Sequence, residues 1–174
     1  FEFYSNFLAE NNWDDKRANN RRIRQAKYAK SLFENPVEVD IVPIKHINTD
    51  YAEYRPKLNA EENIMYFTSK RPGGSSDILD DQGEYYEDIY ISKKKMGVWT
   101  EPQLVNDLIN TTESSSCLYL SPDGEHMFLS MVNNDQKLGH LGRGIYEARL
   151  DGNHWNNPEF LDQKVNSKYW ETYA

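Results

Sequence analysis

The chain has little cysteine, no long apolar run and no excess of positive charge, and each shortage excludes a class of protein. A single cysteine among 174 residues excludes an intrachain disulfide and a zinc site built from several cysteines. No apolar run approaches the roughly 18 residues that would predict a membrane-spanning helix. The net charge of −8 argues against a broad phosphate-binding surface, so we expect no nucleic-acid partner.

Residues 1–36 have the composition of a helical segment. Apolar residues recur there at helical spacing before Asn35-Pro36, a pair that stops helices, so the pattern predicts a helix over about 17–34. A shorter helix within 2–10 is a further expectation. The chain opens at Phe1 without an initiator methionine, and we expect the start of the gene product to precede it. We interpret the basic run as a solvated helix face rather than a nucleic-acid or anionic-lipid patch; it comprises Arg21, Arg22 and Arg24.

From residue 37 onward the sequence repeats itself. Aromatic residues make up 13% of the chain, with 12 Tyr and 4 Trp, and favour packed β structure. The motif Ile/Val-Asn-Thr/Ser occurs three times, and a tyrosine and a tryptophan recur at the 56-residue spacing of its last two copies, which indicates an internal repeat. Segments 58–69 and 119–130 align at an interval of 61 residues, slightly longer than the 56 residues between the two tyrosines. This alignment matches Asn63 with Gly124. The recurring anchors are Ile47, Asn48, Tyr90, Trp99, Ile109, Asn110, Tyr146, Trp155, Val165 and Asn166.

Each repeat unit predicts four short antiparallel strands. The turn at 121–124 places Gly124 where a positive φ closes a hairpin, and in the first unit Asn63 stands at that position. Four short strands with an aromatic anchor are typical of a propeller blade. The strands are expected at 65–68, 88–92, 117–120, 127–130 and 144–148, with a short fourth segment ending each unit.

The predicted fold class is mainly β, a fragment of a β-propeller preceded by an α-helical segment. The propeller part covers 37–174 and contains two full four-stranded blades, 47–108 and 109–164, and the start of a third at 165–174. We expect a fragment because a closed propeller needs about four to eight blades.

The recurring anchors are interpreted as structural. We expect Ile47, Ile109 and Val165 to fill the core at each blade junction, and the asparagine that follows each of them to bind the backbone of the bend. The repeated tryptophans fit blade-to-blade packing better than stacking on sugars.

The loop 70–87 is rich in glycine, serine and aspartate and is expected to be exposed. Its acidic residues could bind calcium, although their spacing does not match an EF-hand, and a solvated loop is the favoured interpretation. As a loop for partner recognition, its candidate residues are Arg71, Asp80, Asp81 and Tyr85.

The sequence does not single out a catalytic, cofactor-binding or metal-binding residue. The four histidines lack the short spacing of a zinc or iron site. The glycines of 138–144 lack the strand-to-helix context of a phosphate-binding loop and predict a flexible loop instead. Cys117 lies on an expected strand, where a buried and inert thiol is favoured over a nucleophile. The four histidines are His46, His126, His140 and His154.

Several motifs together resemble a known family. "INTDYAEYRP", "SPDG", "FTSKR", "DIY" and the repeated Gly-x-Trp-x-x-Pro pattern are similar to the TolB-like β-propeller repeat of Bacteroidetes cell-envelope proteins. In that architecture tetratricopeptide helices come first, and an OmpA-like peptidoglycan-binding domain comes last. The ending "AKYAKSLFENP" resembles the last helix before such a propeller, so the resemblance implies that residues 1–36 end a tetratricopeptide domain.

The resemblance implies a non-enzymatic scaffold in the periplasm, associated with the outer membrane. Its partners would be envelope proteins of a secretion or motility complex, such as the type IX secretion or gliding machinery. Peptidoglycan would be bound through a domain outside this chain. Two alternatives stay open: a propeller that binds glycan or peptidoglycan, and a propeller glycosidase or peptidase.

Overall fold

The computed structural model describes residues 16–133 and 142–171. Within them the chain forms one α-helix and ten β-strands and is mainly β. It divides into two compact units, residues 1–42 and 43–174. The short helix expected within 2–10 and most of the glycine-rich segment 138–144 lie outside the described residues.

The helix α1 runs over Lys16–Glu34, which confirms the helix predicted over 17–34. It ends where the Asn35 N–H donates to the Ser31 carbonyl at 2.9 Å, because Pro36 has no N–H with which to continue the pattern. The three arginines of the basic run are exposed. Among the described residues, no helix combines the length and the apolar character needed to cross a bilayer.

The strands form two antiparallel sheets of five strands each. In each sheet the first three long strands are neighbours in chain order, and two short strands both pair with the third. The first sheet comprises β1 (Glu53–Leu58), β2 (Ile64–Ser69), β3 (Asp88–Lys95), β4 (Val98–Trp99) and β5 (Gln103–Leu104). The second comprises β6 (Ser115–Leu120), β7 (His126–Asn133), β8 (Gly142–Asp151), β9 (His154–Trp155) and β10 (Glu159–Phe160).

The predicted long strands are confirmed, but the count of four per unit was wrong. The chain after β3 and β8 turns back at once, so the tryptophan that follows lies on a two-residue strand of its own. Residues 142–144, expected in a loop, belong to β8. Two sheets are fewer than the four or so that a closed propeller needs, and residues 16–133 and 142–171 do not form a closed ring.

The predicted alignment of segment 58–69 with 119–130 was wrong by one position. In the hairpin before β2, the Asn59 N–H donates to the Ile64 carbonyl. In the hairpin before β7, the Ser121 N–H donates to the His126 carbonyl. Gly124 has the predicted positive φ of 78°, but its counterpart is Glu62, at 53°, and not Asn63. The Asn59 side chain accepts the Asn63 N–H at 3.1 Å, and this bond keeps Asn63 in the turn while Glu62 adopts the left-handed conformation.

The two sheets stack front to back. Met65, Phe67 and Tyr90 lie on one face of the first sheet, which we call its front, and their equivalents in the second sheet lie on the same face. The second sheet's front, with Met127 and Leu129, packs on the back of the first in one core. The front of the first sheet is covered instead by Ile44, Ile47 and Trp99. Each sheet therefore presents two unlike faces.

Trp155 joins the two sheets. Its ring meets Tyr66 of β2 edge to face, at 5.7 Å and 78°, and its Nε1–H donates to the Tyr66 hydroxyl at 3.3 Å. The Trp155 side chain is 3% exposed, so it packs between sheets as predicted and is closed to a sugar. Trp99 is half-buried on the first sheet's front.

Asn110 binds both its own bend and the sheet before it. Its Oδ1 accepts the Ile89 N–H at 2.7 Å, and its Nδ2 donates to the carbonyls of Ile89 at 2.8 Å and Val105 at 3.1 Å. Asn166 repeats this pattern with Ile145 and Leu161. Both asparagines therefore bind the backbone of the bend, as predicted. Each side chain also hydrogen-bonds to the N–H and carbonyl of one residue on the third strand of the preceding sheet, as a residue of a neighbouring strand would.

The other anchors differ from one another in burial. Ile47 and Ile109 are buried, at 4% and 0% exposure, as predicted. The prediction for Val165 was wrong, because its side chain is 47% exposed. The reason is that among the described residues only 166–171 follow it, and no sheet formed by them covers it. Tyr90 is buried and Tyr146 is half-buried against the core between the sheets.

We expect Asn110→Ala to lower the free energy of unfolding by about 3 kcal/mol, because a buried N–H and two carbonyls lose their partners. Urea denaturation followed by circular dichroism measures this. Asn48→Ala is the matched control: Asn48 is exposed and accepts the Ile44 N–H at 2.8 Å. It should cost less than about 1 kcal/mol. Equal losses in the two variants would contradict the bridging role of Asn110.

Candidate interaction surface

Several buried polar side chains lie at one end of the two sheets, where β1, β3, β6 and β8 begin. We call this edge of the molecule the loop end, because the segment 70–87 also lies there. Buried hydroxyls and carboxylates usually have hydrogen-bond partners, and all of these side chains except that of Ser115 bond to a neighbouring segment. The buried polar residues are Thr68, Ser69, Asp88, Ser115, Ser116 and Ser130.

Arg71 is held beneath the loop. Its Nη2 donates to the Ile47 carbonyl at 2.7 Å and lies 3.3 Å from the Glu53 carboxylate. Its guanidinium stacks over the rings of Phe67 and Tyr90, at 5.2 and 4.9 Å. With the Arg71 side chain 13% exposed, the structure places it among structural residues and not on the recognition surface for which the sequence proposed it.

Glu87 joins the two sheets at the loop end. Its carboxylate accepts hydrogen bonds from the Tyr54 hydroxyl of β1 and from the Arg143 guanidinium of β8. Burial and the bond to Glu87 raise the pKa of Tyr54 well above its usual range. The Glu87 carbonyl also accepts the Ser115 N–H at 2.7 Å, which fixes the start of β6. Glu87 is therefore committed to structure on both its side chain and its backbone.

Asp88 fixes the loop 70–87 to the sheet. Its two carboxylate oxygens accept the Ser75 N–H at 2.9 Å and the Ser75 hydroxyl at 2.6 Å. A Cβ on Gly74 would lie 2.0 Å from Asp88 Oδ2, so the loop can come this close only because residue 74 is glycine. Burial raises the pKa of Asp88. It also raises the pKa of Tyr90 to about 12.

Residues 79–85 form a small hairpin that projects from the loop. Leu79 and Tyr85 pair across it, and Asp80 Oδ1 accepts the N–H groups of Glu84 and Gln82. These backbone bonds hold the pKa of Asp80 below its usual range. The Tyr85 ring meets the ring of Tyr51 at 6.0 Å. The hairpin is therefore ordered by its own contacts.

Exposed apolar side chains lie on the hairpin and next to it, and the turn of the hairpin is acidic. Ile78, Leu79 and Tyr51 are 60%, 49% and 47% exposed. Asp81 is exposed at the turn, and Tyr85 is half-buried beneath it. We call these five residues the hairpin surface. Exposed apolar residues beside charged ones are typical of protein-binding sites, so this arrangement can bind a partner.

The candidate loop residues thus separate into two groups. Asp80, Asp81 and Tyr85 belong to the hairpin, whereas Arg71 belongs to the buried network. The sequence analysis did not identify Tyr51, Ile78 and Leu79 as surface residues, because apolar residues in a single sequence are ordinarily assigned to the core. It assigned no role to Glu53, although the spacing from Asn48 to Glu53 recurs from Asn166 to Glu171.

Within 16–133 and 142–171, no three His, Cys, Asp or Glu side chains come together as metal ligands would. Two histidines there pair with a carboxylate: His126 Nδ1 lies 3.1 Å from Glu147, and His46 pairs with Glu101. Cys117 is fully buried, as predicted, and burial raises the pKa of its thiol to about 12. A thiol in this environment is a poor nucleophile.

No known protein family, characterised protein or solved structure matches this chain at a significant level.

We expect the stability of the wild-type protein to fall relative to Asp88→Asn as the pH rises. Because burial raises the pKa of Asp88, the folded chain keeps a proton that the unfolded chain releases above about pH 3.9. The contribution of Asp88 to the free energy of unfolding is complete below that pH, and it is lost as the pH rises past the raised pKa of Asp88 in the folded chain. Melting temperatures of both proteins between pH 4 and 7 measure the effect. Parallel profiles would show that Asp88 does not titrate in this way.

Proposed function

We propose that the chain belongs to a TolB-like β-propeller, contributing two blades and the start of a third after the last helix of a tetratricopeptide domain. The front-to-back stacking of two equivalent sheets supports the repeat, since blades of a propeller follow one another in this way. The bridges made by Asn110 and Asn166 support it further, because each joins a bend to the sheet before it.

The contacts of residues 165–171 support the start of a third blade. Ser167 donates its N–H and hydroxyl to Glu171, at 3.1 and 2.6 Å. Thr49 makes the same pair of bonds to Glu53 just before β1. The Glu171 N–H then donates to the Arg143 carbonyl, as Ser115 does to Glu87 in the preceding repeat.

The function that fits this architecture is a non-enzymatic scaffold in the periplasm, associated with the outer membrane. Its partners would be envelope proteins of a secretion or motility complex, for which the type IX secretion and gliding machinery is the candidate that the sequence resemblance suggests. Peptidoglycan would be reached through a domain outside these residues. The exposed hairpin surface is the observation that carries the binding role. The carboxylates Glu53, Glu87 and Asp88 are engaged in structural hydrogen bonds, which disfavours the glycosidase or peptidase alternative.

A photo-reactive amino acid in place of Ile78 tests the scaffold role in the cells that make the protein. We expect illumination to crosslink this position to an outer-membrane or periplasmic protein, identified by mass spectrometry, because Ile78 is 60% exposed on the hairpin surface. Val98 is the matched control, since it is 63% exposed beyond the opposite end of β3. Crosslinking several-fold stronger at Ile78 supports the proposal. Equal yields, or no protein adduct at either position, would reject it.

Exposed aromatic residues favour a second candidate, glycan binding. Tyr169 and Trp170 are 67% and 71% exposed, and Tyr169 repeats the position of Tyr51 in the first unit. Aromatic rings with one open face can stack on sugars. If so, wild-type protein should sediment with purified peptidoglycan, and Trp170→Ala should reduce the bound fraction several-fold. Tyr119→Ala is the control, an aromatic residue 43% exposed at the far end of β6. No sedimentation by the wild type would reject this candidate.

A further inference from the structure

The helix α1 carries a strong positive charge in an acidic chain. It contains seven lysine and arginine residues and one acidic residue, Glu34, so its net charge is +6 while that of the whole chain is −8. Among the described side chains, the ion pairs of α1 are limited to Lys30 and Glu34, whose Nζ and Oε1 lie 3.6 Å apart. Most of the positive charge of α1 therefore remains available to an anionic partner.

Part of this charge is concentrated along one side of α1. Residues three or four positions apart are neighbours on a helix surface, so Arg21, Arg24, Tyr28 and Leu32 form one row, and Lys27 lies beside it. The three basic side chains are exposed, and those of Tyr28 and Leu32 are 66% and 38% exposed. We call these five residues the basic stripe. Its first part offers cations to a partner, and its last part offers apolar surface.

An open groove of about 440 Å³ adjoins the basic stripe. Its wall includes Asn20, Ile23, Arg24 and Lys27. The Asn20 amide, the Arg24 guanidinium and the Lys27 ammonium group are all hydrogen-bond donors. A guanidinium group also matches two oxygens of a phosphate with parallel hydrogen bonds. The groove can therefore receive a phosphate group.

The apolar residues at the end of α1 favour a lipid among the possible anionic partners. Phe33 is 89% exposed and follows Leu32 of the basic stripe directly. Helices that lie in the headgroup layer of a membrane typically combine lysine and arginine with exposed aromatic and aliphatic residues. A nucleic acid would neutralise the arginines, but it has no apolar layer that Leu32 could enter. A membrane surface supplies both the phosphates and that layer.

We propose that the basic stripe of α1 binds the surface of an anionic phospholipid membrane. Its arginines and lysine contact the headgroup phosphates, and Tyr28 and Leu32 enter the boundary between headgroups and acyl chains. The sequence favoured a solvated face for the basic run, because exposure of the neighbouring apolar residues is visible only in the structure. The inference concerns the unit of residues 1–42 and does not rest on the proposed propeller.

Sedimentation of the 174-residue chain with lipid vesicles tests this binding. We expect the chain to sediment with vesicles that contain phosphatidylglycerol and phosphatidylcholine, and to stay in solution with vesicles of phosphatidylcholine alone. Arg24→Glu should weaken binding about tenfold, because it replaces an attraction to the surface with a repulsion. Tyr28→Ala should weaken it several-fold through the lost apolar contact.

Arg22→Glu is the matched control for Arg24→Glu. It changes the charge of the same helix by the same amount, but Arg22 is exposed on nearly the opposite side of α1, since two residues turn a helix by about 200°. Its effect on vesicle binding should be about twofold at most. Circular dichroism should show the same helix content in both variants, so that unfolding of α1 does not account for the difference.

Each outcome decides the inference. Binding to the anionic vesicles that is lost in Arg24→Glu and kept in Arg22→Glu supports it. No sedimentation with anionic vesicles, equal binding to both kinds of vesicle, or equal losses in the two arginine variants would overturn it. Tighter binding to single-stranded DNA or to polyglutamate than to vesicles, at equal concentrations of negative charge, would also overturn it. Crosslinking at Ile78 reports separately on the scaffold role, so either proposal can fail while the other stands.

Discussion

The fold depends on one interaction, the asparagine side chain that pairs with the backbone of a neighbouring strand. Asn110 offers an acceptor and a donor to Ile89 in the geometry of a ladder residue, and it uses its remaining donor on its own bend. A buried backbone group without a partner is costly, so this amide fixes where the chain leaves one sheet and begins the next. Ile109 then enters the core between the sheets, fully buried beside the amide that positions it. The junction is built by two adjacent residues with opposite chemistry.

At the loop end, several charged side chains are largely buried and several apolar side chains are exposed, which is the reverse of the ordinary arrangement. Arg71 and Glu87 are largely buried and hold segments that are distant in sequence. Ile78 and Leu79 remain in solvent on the loop 70–87, which these buried contacts anchor at both of its ends. Binding sites on loops require a rigid support of this kind. The anchoring of the loop through Ser75 to Asp88 is therefore part of the candidate site, although neither residue would touch a partner.

The sequence predicted features that follow from residue spacing and failed where individual side-chain contacts decide. The helix was read from its spacing and its Asn35-Pro36 stop, and the asparagine anchors from their recurrence. The alignment of the two hairpins was wrong because turn propensity matched Asn63 to Gly124, whereas hydrogen bonds from Asn59 set the register. Arg71 was assigned to the surface because nothing near it in sequence shows the carboxylate, carbonyl and rings that enclose it.

The unlike faces of each sheet give the molecule a direction. A front packs on a back, so the contact is heterologous, and adding a further unit recreates the same two unlike ends. Such a series ends only when the rotation between successive sheets brings the back of the last sheet onto the front of the first. Otherwise the series continues as a fibre. A stretch of this repeat that does not close is thus predisposed to polymerise head to tail, so the front-to-back contact that stacks the two sheets is also a source of aggregation hazard.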